Sequence, residues 1–134
     1  MNSQHHSIGE LGKATATKVE TIRYYERIGL LAVPDRTAGN YRSYSSDDLA
    51  RLSFIRRARN LGFSIDQVRA LLGLSGEQDG ECGAVDVIAR KHLKEVERKI
   101  ADLEALQTEL RDLIRRCKRG KIADCRIIAA LSPA

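Results

Sequence analysis

The sequence predicts a mainly α-helical protein in which a small N-terminal helical domain is followed by one long helix. Between Gly83 and Gly120, no glycine or proline interrupts a run rich in Ala, Leu, Glu, Lys and Arg, which is the composition of a continuous helix. Before this run, short apolar segments each follow a Ser, Thr or Asp, the pattern of short capped helices. The polar, glycine-rich segment 75–83 separates the two parts as a hinge.

Composition limits the functions open to this chain of 134 residues. Its formal net charge of +5 favours an anionic partner such as nucleic acid. No apolar run approaches the ~18 residues of a membrane span, and the polar start has no signal-peptide pattern, so we expect a cytoplasmic location. Residues 1–6, including His5 and His6, read as a solvated tail. No phosphate-binding glycine loop, serine nucleophile elbow or H-E-x-x-H motif is present, and we expect no enzymatic activity.

The first part of the chain predicts two short helices joined by a tight turn. Ser7 precedes Glu10 by three residues, the capping-box spacing, and Thr17 precedes Glu20 in the same way. The small residues of segment 12–16 would form the turn. Two such helices, the second with basic and aromatic groups outside, are typical of a DNA-binding helix-turn-helix; a helical hairpin with a charged surface is the alternative. The outward-facing candidates are Lys18, Thr21, Arg23, Tyr24 and Arg27.

A turn with basic and aromatic flanks follows at residues 36–44. Gly39 and Asn40 form a strong turn pair, which favours a short two-stranded wing. Interleaved arginine and tyrosine side chains suit contacts to the DNA backbone and are difficult to explain as core. The wing candidates are Arg36, Tyr41, Arg42 and Tyr44.

Two further helices complete the predicted DNA-binding domain, residues 7–74. The cluster from Ser45 to Asp48 is a strong N-cap for a helix that ends at Gly62. Ser64, with Gln67 at the capping-box position, begins the next helix.

The long helix carries an apolar seam. Its apolar side chains alternate four and three residues apart, the a/d spacing of a coiled coil, and such a seam requires a partner helix. An antiparallel copy of the chain would place Cys82 of one subunit beside Cys117 of the other. Within one chain these cysteines lie roughly 50 Å apart at ~1.5 Å per helical residue, so they cannot meet. The seam is Ala89, Leu93, Val96, Ile100, Leu103, Leu110 and Ile114, with Gln107 at the one polar place.

Three cysteines are the candidate chemical groups. An odd count in a reducing compartment indicates thiols that are free or bound to metal rather than a disulfide framework. Cys125 follows Cys117 after seven residues that contain a glycine, so the chain can fold back, and three thiols can converge at each end of a two-fold dimer. For any single cysteine, the ordinary alternative is a small buried apolar residue.

Several segments resemble the MerR family of bacterial transcription regulators. They are TIRYYERIGLL at 21–31, R-x-x-x-x-Y-R-x-Y at 36–44 and R-x-L-G-F-S at 59–64, in the family's order. The resemblance implies a homodimer that sits on a promoter with RNA polymerase and activates transcription by bending and undertwisting the DNA when an effector binds. It also implies the DNA-contacting residues Lys18, Thr21, Arg23, Tyr24, Tyr41, Arg42, Tyr44, Arg56 and Arg57.

The cysteines are similar to those of the metal-sensing branch. In that branch a cysteine at the start of the dimerisation helix accompanies divalent ions and a serine accompanies Cu(I); Cys82 occupies this place. The resemblance implies a dimerisation helix at 84–119 and a metal-binding loop and C-terminal segment at 117–134. A soft divalent ion (Hg, Pb, Cd or Zn) would be bound by Cys117, Cys125 and Cys82 of the partner subunit, with Asp124 or water as a possible fourth ligand. A Cu(I) sensor and a thiol redox sensor are the alternatives.

Overall fold

The structure is a computed structural model that describes residues 5–117 and 120–133. The chain divides into two compact units, with the boundary between Val85 and Asp86. The first unit contains four helices and a two-stranded antiparallel sheet. Its elements are α1 (Ile8–Thr15), α2 (Val19–Arg27), β1 (Asp35–Arg36), β2 (Arg42–Ser43), α3 (Ser46–Asn60) and α4 (Ile65–Ser75).

Reciprocal capping boxes begin three of these helices, as the sequence predicts. The Ser7 hydroxyl accepts from the Glu10 backbone N–H, and the Glu10 carboxylate accepts from the Ser7 N–H. The same pair of bonds joins Ser45 to Asp48 at α3 and Ser64 to Gln67 at α4. Each cap satisfies N–H groups that lack a partner within the helix, and contributes about 1 kcal/mol.

The start of α2 differs from the prediction. Its N-cap is Lys18, without a side-chain cap, and the predicted Thr17 cap is wrong. The Thr17 hydroxyl is buried and donates to the Thr15 carbonyl at 3.1 Å, while the Thr15 hydroxyl donates to Thr17 Oγ1 at 3.0 Å. Burial of both side chains in the turn therefore overrides the capping-box spacing.

The turn between α1 and α2 is also shorter than predicted. Residues 12–15 are helical, and the reversal occurs at Ala16, whose φ is 51°. The Thr17 N–H donates to the Gly12 carbonyl at 2.9 Å. A Cβ at Gly12 would lie 2.7 Å from the Thr17 carbonyl oxygen, so glycine permits this close approach.

One apolar core holds the first unit together. It joins the inner faces of all four helices to the strand residue Tyr44, and α1 packs on both α2 and α3. The core fixes the outer face of α2 because Ile22 and Tyr25 point inward. Its buried apolar residues are Leu11, Ile22, Tyr25, Leu30, Leu31, Tyr44, Leu52, Ile55, Ala58, Val68 and Leu72.

The wing forms where it is predicted, with one addition. Strands β1 and β2 pair antiparallel with Arg36 opposite Arg42, and Asn40 takes the left-handed turn conformation with φ 65°. His6 and Tyr44 form a further antiparallel bridge, with N–H to carbonyl distances of 2.8 and 2.9 Å. His6 therefore belongs to the fold rather than to a solvated tail; residues 1–4 of that predicted tail lie outside the described residues.

The second unit contains most of the long helix. Helix α5 runs from Gly83 to Arg116, 34 residues, one residue earlier than predicted at its start. Of the predicted end, residues 118 and 119 lie outside the described residues. A single 3₁₀ turn (Ile122–Asp124) and α6 (Arg126–Leu131) follow. No predicted seam residue is buried, so the apolar stripe remains available to a partner. Among the described residues, no helix has the length and apolar character needed to cross a membrane.

Candidate DNA-contacting surface and thiol pair

The outer face of α2 presents the basic and aromatic side chains that the sequence selects. Lys18, Arg23 and Tyr24 are exposed, and Thr21 is half-buried. The Arg27 guanidinium carbon lies 5.8 Å from the centroid of the Tyr24 ring, within cation–π range. Helical periodicity explains this division, since residues 22 and 25 enter the core from the opposite side of the same helix.

Three wing side chains, those of Arg36, Tyr41 and Arg42, lie beside this face. Tyr41 is 75% exposed, whereas Arg42 is half-buried. Arg23 of α2 and Arg36, Tyr41 and Arg42 of the wing line a common cleft of about 160 Å³. The recognition helix and the wing therefore present a continuous cationic concavity, which suits a phosphate group.

Tyr44 does not belong to this surface, and the prediction that it contacts DNA is wrong. Its side chain is 0% exposed, and its hydroxyl donates to Glu26 Oε1 at 2.6 Å. Burial and this hydrogen bond raise the pKa of Tyr44 well above its ordinary value. The spacing of aromatic and basic residues along the wing does not reveal that one tyrosine turns inward.

Glu26 is a functional candidate that sequence reasoning missed. It is buried on α2, and its Oε2 lies 3.5 Å from the Nε of Arg42 while its other oxygen accepts from Tyr44. These contacts join residues 16 and 18 positions apart in sequence, so no local spacing rule signals them. The one available signal is an acidic residue within an otherwise basic and aromatic segment.

The arginines of the first unit have two different roles. Arg56 and Arg57 are exposed and line a cleft of about 300 Å³ between α3 and the end of α1, as phosphate-binding residues would. Arg51 instead donates from Nε to the Leu30 carbonyl at 2.8 Å, and Arg69 donates to the Ile28 carbonyl at 2.8 Å. The latter two hold the loop that follows α2.

Cys117 and Cys125 lie close enough that each thiol affects the pKa of the other. Cys117 directly follows α5, and Cys125 is the N-cap residue of α6. Hydrogen bonds from the backbone N–H groups of Ile128 and Ile127, together with one from the Cys117 thiol, lower the pKa of Cys125. Partial desolvation and the hydrogen bond that it donates to Cys125 raise the pKa of Cys117.

Cys82 is exposed and precedes the first residue of α5. The 34-residue length of the helix corresponds to roughly 50 Å at ~1.5 Å per residue, which separates Cys82 from Cys117. Accordingly, no group of three His, Cys, Asp or Glu residues within the described segments can hold a metal ion. Of the three cysteines, Cys117 and Cys125 are the two that the second unit brings together.

Comparison with known proteins identifies the family. Residues 6–74 match the family described as "MerR HTH family regulatory protein". Residues 49–113 match the family described as "MerR, DNA binding". The HTH-type transcriptional regulator HmrR of Sinorhizobium medicae is 40% identical over 94% of this chain and 86% of its own length. The mercuric resistance operon regulatory protein of Bacillus cereus is 39% identical over 92% of this chain and 95% of its own length.

A solved structure extends the similarity to the whole fold. The transcription regulator PbrR691 from Ralstonia metallidurans CH34, in complex with lead(II), is 40% identical to this chain, with a TM-score of 0.79. The match covers 95% of this chain and 99% of that one. This chain belongs to the MerR family of helix-turn-helix regulatory proteins.

Proposed function

We propose that this chain is a metal-responsive transcription regulator that binds promoter DNA as a homodimer in the bacterial cytoplasm. The pairing of Cys117 with Cys125 at the end of α5 is the observation that carries the proposal. Two adjacent thiols are soft ligands, and one of them is already held towards its thiolate form. The relatives named for mercuric resistance and for a lead(II) complex support the same class of ion.

The site takes Cys117 and Cys125 from one protomer and Cys82 of the partner subunit. Three thiolates suit the trigonal coordination that Hg(II) and Pb(II) accept, while Cd(II) or Zn(II) would add Asp124 or water as a fourth ligand. Metal binding displaces the thiol protons, so affinity rises with pH. The exposed seam of α5 provides the contact that brings the partner subunit to the site.

The promoter is contacted through α2, the wing and α3. Arginine and lysine side chains supply phosphate contacts, and the α2 face lies in a groove as a recognition helix does. Metal binding at the dimer interface changes how the two DNA-binding halves are held, and the DNA is distorted for RNA polymerase. The proposed contacts are Lys18, Thr21, Arg23, Tyr24, Tyr41, Arg42, Arg56 and Arg57; Tyr44 is excluded by its burial.

A Cu(I) sensor is the second candidate, because one observation favours it. The described part of one chain brings together two thiols and no third ligand, and two thiolates suit linear Cu(I). A thiol redox sensor would use the same pair as a disulfide. The three candidates differ in whether Cys82 is needed and in whether an oxidant replaces the ion.

Transcription in vitro distinguishes these candidates. The template carries a duplex selected from a random-sequence pool by the wild-type protein, and Hg(II), Pb(II), Cd(II), Zn(II), Cu(I) and a mild oxidant are titrated separately. We expect a divalent ion to activate, and Cys82→Ser to weaken its binding by more than about 100-fold, beyond the 10–100-fold cost of losing an outer-shell partner. The control Cys117→Ser loses the response to every ion.

Other outcomes identify the alternatives. A Cu(I) response that survives Cys82→Ser identifies the two-thiolate sensor. Activation by oxidant with no response to any ion identifies the redox sensor. Transcription that is insensitive to all of them contradicts the proposal.

A further inference from the structure

Glu26 supplies the single buried carboxylate among the described residues, and it lies on the recognition helix. A buried carboxylate is costly unless hydrogen bonds and a positive partner compensate it. An apolar residue of similar volume would fill the same place at a lower desolvation free energy. The role of the Glu26 charge is therefore to be found in the groups that it contacts.

Both partners of Glu26 lie at the second strand of the wing. Oε1 accepts from the Tyr44 hydroxyl at 2.6 Å, and Oε2 lies 3.5 Å from Arg42 Nε. Residues 42 and 44 are two apart on an extended chain and therefore share one face. The backbone of Tyr44 is itself fixed through its two hydrogen bonds to His6. The Glu26 carboxylate thus links α2 to the wing through one hydrogen bond and one ion pair.

The ion pair with Glu26 involves the Nε side of the Arg42 guanidinium and leaves part of the group exposed. In the described part of the chain, Arg42 Nε makes no hydrogen bond, and its approach to Glu26 is an ion pair. The side chain keeps 28% of its surface exposed and lines the cleft with Arg23, Arg36 and Tyr41. Its terminal nitrogens are therefore available to a phosphate while the carboxylate restrains the guanidinium.

Glu26 also reduces repulsion among cations. Arg23, Arg27 and Arg42 line a second cleft of about 260 Å³, in which Glu26 is the acidic residue. Without its charge, three guanidinium groups would repel one another, and Arg42 would move towards solvent.

We propose that Glu26 is a positioning residue for DNA binding, which sets the wing against the recognition helix and preorganises Arg42 for a backbone phosphate. The inference rests on the proposed function, because it requires that the wing and α2 contact DNA. Fixing a long side chain before binding lowers the entropic cost of the contact, which corresponds to about a fivefold gain in affinity.

A double-mutant cycle on the full-length dimer tests this role. The duplex selected by the wild-type protein is titrated with Glu26→Gln, Arg42→Ala and the double variant over a range of salt. We expect Glu26→Gln to weaken binding by about fivefold, and the same change to have little effect when Arg42 is already alanine. Arg42→Ala should lower the slope of log K against log salt by about one phosphate contact, whereas Glu26→Gln, which keeps the cation, should leave the slope nearly unchanged.

Glu20→Gln is the matched control, since it removes an exposed carboxylate from the same helix. Loss of an acid near DNA should by itself leave affinity equal or higher. Tyr44→Phe removes only the hydroxyl bond to Glu26 and keeps the buried ring, so it decides the question if thermal unfolding shows that Glu26→Gln does not fold. We expect a smaller loss, again dependent on Arg42.

The results separate the inference from the proposed function. A Glu26→Gln dimer that binds as tightly as wild type, or a loss of equal size in the Arg42→Ala background, overturns the positioning role alone. A wild-type protein that selects no duplex overturns both.

Discussion

Cys117 and Cys125 differ because the chain presents different groups to their sulfur atoms. Cys125 is the N-cap residue of α6, and the nearby backbone N–H groups of Ile128 and Ile127 lower the pKa of its thiol, so its negative form is favoured. Cys117 follows the C-terminal end of α5, donates to Cys125 and is partly shielded from water, so its neutral form is favoured. As the pH rises, Cys125 is therefore the first of the two thiols to lose its proton.

This asymmetry predicts ordered thiol reactivity. The pKa of Cys125 is lowered, so its thiolate is present at a lower pH than an ordinary thiol gives, and the raised pKa of Cys117 delays that thiol. In metal-free Cys82→Ser protein, we expect iodoacetamide to modify Cys125 before Cys117. The comparison is made from about pH 6 to about pH 8, below the ordinary thiol pKa of about 8.5. Peptide mass spectrometry after timed quenching gives the two rates.

Cys117→Ser provides the control for this prediction. The backbone N–H groups at Cys125 are its larger influence, so Cys125 should remain reactive below the ordinary thiol range in this variant, with only a small upward change. Equal rates for the two thiols at every pH would show that α6 does not favour the Cys125 thiolate.

Side-chain roles in the wing were only partly predictable from the sequence. Exposure of Tyr41 and Arg23 follows from local spacing, and the structure agrees. The inward direction of Tyr44 and its bond to Glu26 depend on a residue 18 positions earlier. The side chains of Arg51 and Arg69 likewise donate to carbonyls of the loop after α2, at distant positions in the sequence. Contacts between distant residues, rather than residue type, decide these cases.

Local chemistry specifies the helices well where it acts without competition. Ser45 and Ser64 begin α3 and α4 because the hydroxyl and the residue three positions later satisfy two N–H groups at once. Thr17 has the same spacing, but its hydroxyl is buried against Thr15 and cannot cap α2. The sequence pattern predicts a cap only where the hydroxyl is not needed elsewhere.

Within the described part of the second unit, the large apolar side chains along the stripe of α5 remain exposed. Leu103, in the middle of the seam, is 64% exposed. Burying a leucine stabilises by about 2 kcal/mol, and a two-fold dimer buries two copies of each seam residue. In the proposed dimer, the seam therefore contributes to association rather than to the stability of one chain.

Leu103→Glu is expected to disrupt the dimer. Losing two buried leucines costs about 4 kcal/mol, which corresponds to an increase of about 1,000-fold in the dimer dissociation constant. Sedimentation equilibrium at several protein concentrations measures it, and circular dichroism reports whether the helix content is kept.

Ala105→Glu is the matched control because it adds the same charge to an exposed position of α5 outside the seam. A coiled coil through the predicted seam leaves this variant dimeric. If both substitutions weaken the dimer equally, or if neither does, the interface lies elsewhere on the helix.

For the whole molecule, the length of α5 decides where a three-thiol site can form. The sequence predicts both cysteine groups and a long helix at 84–119 between them, which the structure gives as Gly83–Arg116, and the proposal of a site shared with a second chain rests on this length. What the sequence does not contain is the local arrangement of the pair, in which a turn of 3₁₀ helix and the start of α6 return Cys125 to Cys117. That arrangement depends on backbone hydrogen bonds formed only after the chain folds back.

A site shared between subunits predicts complementation in mixed dimers. A protomer with Cys82→Ser keeps Cys117 and Cys125, and a protomer with both of those changed to serine keeps Cys82. Neither homodimer has a complete three-thiol site, but the heterodimer has one, because both defects fall at the same end of the dimer and leave the site at the other end intact. We expect co-purified heterodimers with two different affinity tags to bind one Hg(II) with the thiolate-to-metal absorption of the wild type, and each homodimer to lack that absorption. A site built within one chain would give no complete set of ligands in the heterodimer, so an absorption no greater than that of the homodimers would exclude the shared site.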